Sequence, residues 1–303
     1  MTMSREQEQK SGFVTLVGRP NVGKSTLVNR LVGQKIAIMS DKPQTTRTRI
    51  RGILTTPEGQ AVILDTPGMH RPHHRLGEHM VEVAASSMRD VDILLCVVDA
   101  AAGHGRGDDY VLEKVRESRT PAFLILNKID AIAKEELLAQ IDLYRGLHSF
   151  AEIIPVSALT GEQVGLVRDL IFEHLPYGPM YYPPDVVTDH PERFVIAELI
   201  REKVLLLTRE EVPHAVAVVV EQLERRADSD ALYIHAHIYA ERDSQKAILI
   251  GKGGEMLKRV GTLARRDIER ILGSRAYLEL WVKIKKDWRN HDHWLRSFGL
   301  HDE

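Results

Sequence analysis

The sequence predicts an α/β protein in which a mixed, mostly parallel sheet with helices on both faces is followed by a smaller α+β unit. Three observations carry that prediction. Short β-branched runs alternate with amphipathic stretches from Phe13 to about Leu175, a proline-rich break follows, and beyond it the elements run α-β-β-α-α-β. With 303 residues, 43% hydrophobic and 28% charged, the chain has globular composition and length for about two domains.

Strands are expected at Phe13–Val17, Arg49–Thr55, Ala61–Leu64, Ile93–Val98, Ala122–Leu126 and Glu152–Val156, with helices beginning near Lys24, Leu76, Asp108, Lys134 and Glu162. Leu175–Pro184, with Pro191 beyond it, cannot sustain helix or central strand, because proline lacks the amide donor and fixes φ. A helix with apolar residues at Phe194, Ala197, Leu199, Val204 and Leu207 then precedes β-rich runs at Ala215–Leu223 and Ala231–Tyr239. A helix pair interrupted by Gly251-Lys252-Gly253-Gly254 and a strand at Ala276–Ile284 complete the order. These boundaries divide the chain into a nucleotide domain (11–176), a linker (177–192), a second domain (193–290) and a C-terminal tail (291–303).

The net charge of -2 is unevenly placed: residues 241–303 hold 14 Lys/Arg against 10 Asp/Glu, which leaves -6 on the remainder. A basic end on an acidic body suits a polyanion-binding module or a solvated helix equally. The single cysteine, Cys96, sits in an apolar run and excludes an internal disulfide, which is compatible with a reducing cytosol. No apolar run approaches the ~20 residues of a spanning helix. A soluble, cytoplasmic protein is therefore expected, with room for peripheral membrane contact.

Gly18, Arg19, Pro20, Asn21, Val22, Gly23, Lys24 and Ser25 form a P-loop between an apolar strand and a helix that continues with Thr26. Its glycines let the backbone amides and the helix N-terminus wrap phosphates. Lys24 is placed to reach the β- and γ-phosphates and the Ser25 hydroxyl to bind Mg²⁺. Asn127, Lys128, Ile129 and Asp130 follow a strand end, where open α/β sheets hold ligands. The Asp130 carboxylate matches the ring N–H and exocyclic amine of guanine, a donor pair that adenine lacks. Asn127 braces the loop, Lys128 covers the ring, and Ser157 and Ala158 offer amides to the guanine oxygen.

Asp65, Thr66, Pro67 and Gly68 close another strand, so that Asp65 faces Mg²⁺ through water and the Gly68 amide faces the γ-phosphate. Thr45 and Thr46 compete for the switch hydroxyl that binds Mg²⁺ only with the γ-phosphate present, and Thr46 is favoured. Met69 stands where many small G proteins carry a water-orienting glutamine, and a thioether cannot orient water. His70, His73, His74 and His79 are read as a solvated switch segment rather than a zinc site, with His70 an alternative general base.

Four ordered motifs on strand ends resemble Ras-like G domains, and in detail the TrmE–Era branch. That resemblance associates Asn21 with a K⁺ ion near the phosphates, whose charge substitutes for an arginine finger. It implies slow GTP hydrolysis in which Lys24, Asn21, Thr46 and Gly68 act on the phosphates.

The Gly251–Gly254 turn, within the α-β-β-α-α-β order, resembles a bacterial-type (type II) KH domain. Its glycines permit close approach of a nucleic-acid backbone, and Lys252 adds charge. In the next helix, Leu257, Val260, Ala264, Ile268 and Ile271 form an apolar face, with Lys258, Arg259, Arg265, Arg266 and Arg270 on or toward the other. Gly251, Lys252, Gly253, Gly254, Lys258, Arg259 and Arg265 are the expected RNA contacts. Trp281 and Trp288 are read as core, with base stacking the alternative.

The runs Arg201–Leu205, Glu211–His214 and Tyr277–Lys283 also resemble the Era family of ribosome-associated GTPases. The resemblance implies a monomer that binds the 16S rRNA 3′ end and the 30S subunit, serves small-subunit assembly and rRNA maturation, and has no DNA partner. A protein- or membrane-docking module and an ATP-dependent enzyme are the competing readings.

Overall fold

The computed structural model of the chain describes residues 9–72, 74–225 and 231–300. It forms two compact units: Met1–Ala37, Thr46–Pro72 and Gly77–Asp189 make the first, and Ile38–Thr45, His73–Leu76 and His190–Glu303 the second.

The first unit contains strands β1 (Lys10–Val17), β2 (Ile50–Thr56), β3 (Gly59–Asp65), β4 (Ile93–Asp99), β5 (Ala122–Asn127) and β6 (Glu152–Val156). They form one sheet in the order β2-β3-β1-β4-β5-β6, with β2 antiparallel to β3 and every other pair parallel. Near-continuous Val, Ile and Leu runs in β1, β3, β4 and β5 reflect burial on both faces. One face packs against α1 (Lys24–Val32) and α5 (Val164–His174) through Leu27, Leu31, Val167 and Ile171. The other packs against α2 (Arg75–Ser86), α3 (Arg106–Ser118) and α4 (Lys134–Leu147) through Ala84, Val111, Val115 and Tyr144.

The proline-rich stretch expected to be a bare linker is bound to this unit as far as Asp189. The buried Gln60 side chain accepts the N–H groups of Tyr181 and Tyr182 through Oε1 and donates through Nε2 to the Tyr182 carbonyl and Thr55 Oγ1. The Ile53 N–H on edge strand β2 donates to the Val187 carbonyl. The segment thus covers part of an otherwise open sheet edge.

The second unit follows the expected order: α6 (Glu192–Leu207), β7 (Ala217–Arg225), β8 (Leu232–Ala240), α7 (Asp243–Ile250), α8 (Glu255–Leu272) and β9 (Ala276–Ile284). Its sheet runs β7-β8-β9, with β8 antiparallel to β7 and parallel to β9. Ile196, Ile200, Leu249, Val260, Ala264 and Ile268 from the three helices close over Ile234, Ala236, Ile238 and Val282.

Residues 291–303, expected as a tail, contain a short helix, α9 (Asp292–Ser297), with Leu295 and Leu300 buried. Phe298 stacks on Tyr239 and meets Trp288 edge-on. Trp288 is core, its Nε1–H donating to the Ala215 carbonyl, but Trp281 is 55% exposed, contrary to the expectation for both tryptophans. Among the described residues no helix is long and apolar enough to cross a membrane.

Candidate functional site

The P-loop joins the end of β1 to the start of α1. Its backbone is shaped by close approach: a Cβ on Gly18 would lie 2.3 Å from the Val97 carbonyl oxygen, and Gly23 takes φ +99° as it enters the helix. The Lys24 ammonium donates to the Gly18 and Arg19 carbonyls at 3.1 and 3.0 Å, so the loop holds its own cation. Burial lowers the Lys24 pKa to about 8, against the opposing pull of Asp65.

Ser25, Thr46 and Asp65 converge beside it. Ser25 Oγ donates to Asp65 Oδ2 at 2.6 Å, the Thr46 hydroxyl donates to the same oxygen at 3.2 Å, and the two hydroxyl oxygens lie 2.9 Å apart. The Thr45 hydroxyl donates to the Lys42 carbonyl. Burial raises the Asp65 pKa, opposed by Ser25 and Lys24. Asp65 Oδ1 is buried without a hydrogen-bond partner among the described residues. An orphaned carboxylate oxygen beside two hydroxyls is a hard-oxygen donor set, and it fits Mg²⁺.

Asn127 connects the two halves of the nucleotide site. Its Nδ2 donates to the Val22 carbonyl in the P-loop at 2.7 Å, and its Oδ1 accepts the Ala158 N–H at 2.9 Å. Lys128, at φ +69°, donates to Asp99 at 2.5 Å, so its stem is fixed along the loop. Asp130 is exposed in a 3-10 turn, Ile129–Ala131, past the end of β5. The Ser157 hydroxyl accepts the Thr160 N–H.

Several side chains of the site sequence are turned elsewhere. The Thr66 hydroxyl donates into the sheet, to the Leu16 carbonyl, and the Met69 side chain is 1% exposed in the core beside Val17, Ala84 and Met88. Only the backbone of these two residues remains for a ligand, and the Met69 N–H bonds the Gly18 carbonyl. Val22 is likewise a core side chain that lends its carbonyl. Gly68 approaches Pro20 so closely that a Cβ would lie 2.6 Å from its Cα. Asn21 is exposed at φ +64°. His70 Nδ1 lies 2.9 Å from the Gly68 carbonyl. His73 lies outside the described residues, and among the described ones no three His, Cys, Asp or Glu groups gather to hold a metal.

Two residues carry no motif and escaped sequence reasoning. Asp99 anchors Lys128, and Asp108 accepts the Arg19 Nε–H. An acidic residue ending β4 and another in the first turn of α3 were the available signals.

In the second unit, the Gly251 turn needs glycine at φ +72°, +62° and +81° for Gly251, Gly253 and Gly254. Lys252 is exposed between them. A groove of about 490 Å³ runs between α8 and edge strand β9, with Leu257, Gly261 and Leu280 at its floor and Lys258 and Arg265 among its lining residues. Gly261 lets the helix approach Leu280, which a Cβ would meet at 3.4 Å. Arg259 is exposed but does not line the groove.

A P-loop, a switch threonine and a guanine-reading loop on one wound sheet, followed by a GxxG turn in a KH-ordered domain, define a Ras-like GTPase with an RNA-binding module. Residues 13–128 match the family described as 50S ribosome-binding GTPase, and residues 211–289 match the KH domain. The chain is 40% identical to an Aquifex aeolicus Era variant bound to GDP and AlF4⁻, covering 97% of this chain and 100% of that one at a TM-score of 0.94. The same figures hold for Era in complex with MgGDPNP and nucleotides 1506–1542 of 16S ribosomal RNA. The chain belongs to the Era family of GTPases.

Proposed function

We propose that this GTPase is a switch that binds and slowly hydrolyses GTP and binds single-stranded RNA near the 3′ end of 16S rRNA, acting in 30S subunit assembly and rRNA maturation. The observation that carries the reading is the Asn127 clasp, which joins the phosphate loop to the guanine loop and makes one continuous nucleotide site. The Era relative bound to 16S rRNA supports the choice of RNA.

Lys24, already held by loop carbonyls, meets the charge that develops on the β- and γ-phosphates as the bond to the leaving oxygen breaks. Ser25, Thr46 and Asp65 would hold Mg²⁺, which neutralises phosphate oxygens when bound. The Gly68 amide orients the γ-phosphate, and Asp130 reads guanine. Buried Met69 offers no side-chain group to position water, so hydrolysis is slow unless charge is added. Asn21, exposed in the loop, is the ligand assigned to K⁺, and equal turnover in K⁺ and Na⁺ buffers would remove that assignment.

The GTP-bound switch changes RNA affinity at the groove, and hydrolysis resets it. Kd for a 16S 3′-end RNA, measured with GDP and with a non-hydrolysable GTP analogue, tests this, and equal values would exclude direct coupling. We extend the proposal to a cytoplasmic monomer with peripheral contact at the inner membrane. Sedimentation and vesicle flotation check those two points.

A further inference from the structure

The connection from β4 to α3 carries a carboxylate at each end, and the two are held in the same way. Asp99 closes β4 level with Asn127 of β5, and the next residue, Ala100, donates its N–H to the Asn127 carbonyl. Asp99 Oδ1 accepts the Ala101 and Ala102 N–H groups at 3.0 and 3.1 Å, which fixes the carboxylate on its own turn. Its Oδ2 takes the Lys128 ammonium at 2.5 Å. Asp108, in the first turn of α3, likewise accepts the Gly105 N–H of its own turn through Oδ2 at 2.9 Å and gives Oδ1 to the Arg19 Nε–H at 2.7 Å.

Each carboxylate therefore holds a cation that belongs to a nucleotide-binding loop. A long lysine stem lies along a flat ring only at a cost in rotamer entropy, and fixing its ammonium in advance removes much of that cost from binding. At the phosphate end the hold is indirect. Arg19 passes over Gly107, where a Cβ would lie 2.5 Å from Arg19 Cδ, and its Nη2 donates to the Gly103 carbonyl at 3.2 Å. With the side chain held at two points the Arg19 peptide is restricted as well, and its carbonyl is one of the two that accept from the Lys24 ammonium.

We propose that the β4–α3 connection is a buttress for the GTPase site, in which Asp99 positions Lys128 against guanine and Asp108, through Arg19, positions Lys24 against the phosphates. Asp99 and Asp108 are positioning residues, each acting through another side chain. The inference rests on the roles given above to Lys24 and Lys128. Its two ends carry different kinetic signatures. The base is the same in GTP and GDP and takes no part in bond breaking, so loosening Lys128 removes uniform binding and leaves turnover alone. Charge on the phosphates grows as the bond breaks, so loosening Lys24 lowers turnover.

The test measures Kd for GDP and for a non-hydrolysable GTP analogue by calorimetry, and kcat by phosphate release at saturating GTP, on the full chain. Asp99→Asn keeps an oxygen for Ala101 and Ala102 and loses only the charge that holds Lys128. Both Kd values should rise by about tenfold, with kcat within about twofold of wild type. Gly107→Ala favours the helix but pushes Arg19 off its path, and kcat should fall by about tenfold while Kd for GDP changes by less than about threefold. Asp108→Asn should repeat the Gly107→Ala profile, and its retained GDP binding reports a folded site. Wild-type constants in Asp99→Asn or in Gly107→Ala, or one shared profile for the two, would overturn the buttress. Lys128→Ala and Lys24→Ala test the reading beneath it. If the first binds GDP and the second hydrolyses GTP like wild type, the site assignment fails and takes the buttress with it. If both are impaired while Asp99→Asn or Gly107→Ala matches wild type, only the buttress fails.

Discussion

The Arg19 side chain, inside the phosphate loop, is tied to the neighbouring helix: its Nε–H donates to Asp108 of α3 at 2.7 Å, and its Nη2 donates to the Gly103 carbonyl at 3.2 Å. Asp108 is 1% exposed and also accepts the Gly105 N–H. Removing Arg19 leaves a buried carboxylate short of its cation. Arg19→Ala is therefore expected to cost about 2–3 kcal/mol in urea unfolding, tempered by the partial exposure of Arg19. Asp108→Asn, which keeps an acceptor for Gly105, should cost less. Additive losses in the double variant would show that the pair contributes nothing jointly.

Gly23 leaves just enough room for Asn127. A Cβ there would sit 2.2 Å from Asn127 Nδ2, on a backbone at φ +99°. Gly23→Ala should eject Asn127 from its bond to Val22 and strain the loop, lowering GTP affinity by at least about tenfold and stability by about 2 kcal/mol. Titration with a fluorescent GTP analogue reads the first effect and thermal unfolding the second.

Lys24 predicts two pH trends of opposite sign. With a folded-state pKa of about 8 against the ordinary lysine value of 10.5, the nucleotide-free protein sheds this proton as pH rises through 8 while the unfolded chain keeps it. This group therefore makes the nucleotide-free protein progressively more stable as pH rises from 8 to 10.5, by up to about 3 kcal/mol, and that gain is lost as pH falls back from 10.5 to 8. GTP needs the ammonium, so its binding should weaken above pH 8 and take up a proton there. Calorimetry at pH 8.5 in buffers of different ionisation enthalpy checks the uptake; a buffer-independent heat would contradict it.

Gln60 satisfies four polar groups from a fully buried position. Gln60→Leu would leave the Tyr181 and Tyr182 amides without their acceptor and cost about 2–4 kcal/mol. Limited proteolysis should then cut within residues 177–189 well before global unfolding, whereas the wild-type segment resists.

Much of the fold was legible because the nucleotide motifs fall on strand ends and the apolar runs between them are fully buried. The KH order was equally readable, and β6 and β9 begin and end where their patterns do. What motifs conceal is which part of a residue acts. Thr66, Met69 and Val22 lie within the site sequence, yet their side chains face the sheet or core and leave only backbone for a ligand. The Asn127–Val22 bond spans 105 positions and leaves no local trace. The last helix was missed because six residues carry little periodicity, and its anchors are the aromatic contacts of Trp288 and Phe298. Trp281 was the avoidable miss: alternation along Tyr277–Lys283 puts it on the face with Glu279, opposite Leu278, Leu280 and Val282.

The burial of Met69 bears on how this enzyme can change over evolutionary time. Its side chain fills a place among Val17, Ala84 and Met88, so a glutamine substituted there would carry its amide into hydrocarbon instead of toward a hydrolytic water. The best-known alternative chemistry for this class is therefore not one mutation away. Reaching it requires rebuilding the wall beneath the loop first, and until that happens selection for faster turnover must act elsewhere in the molecule.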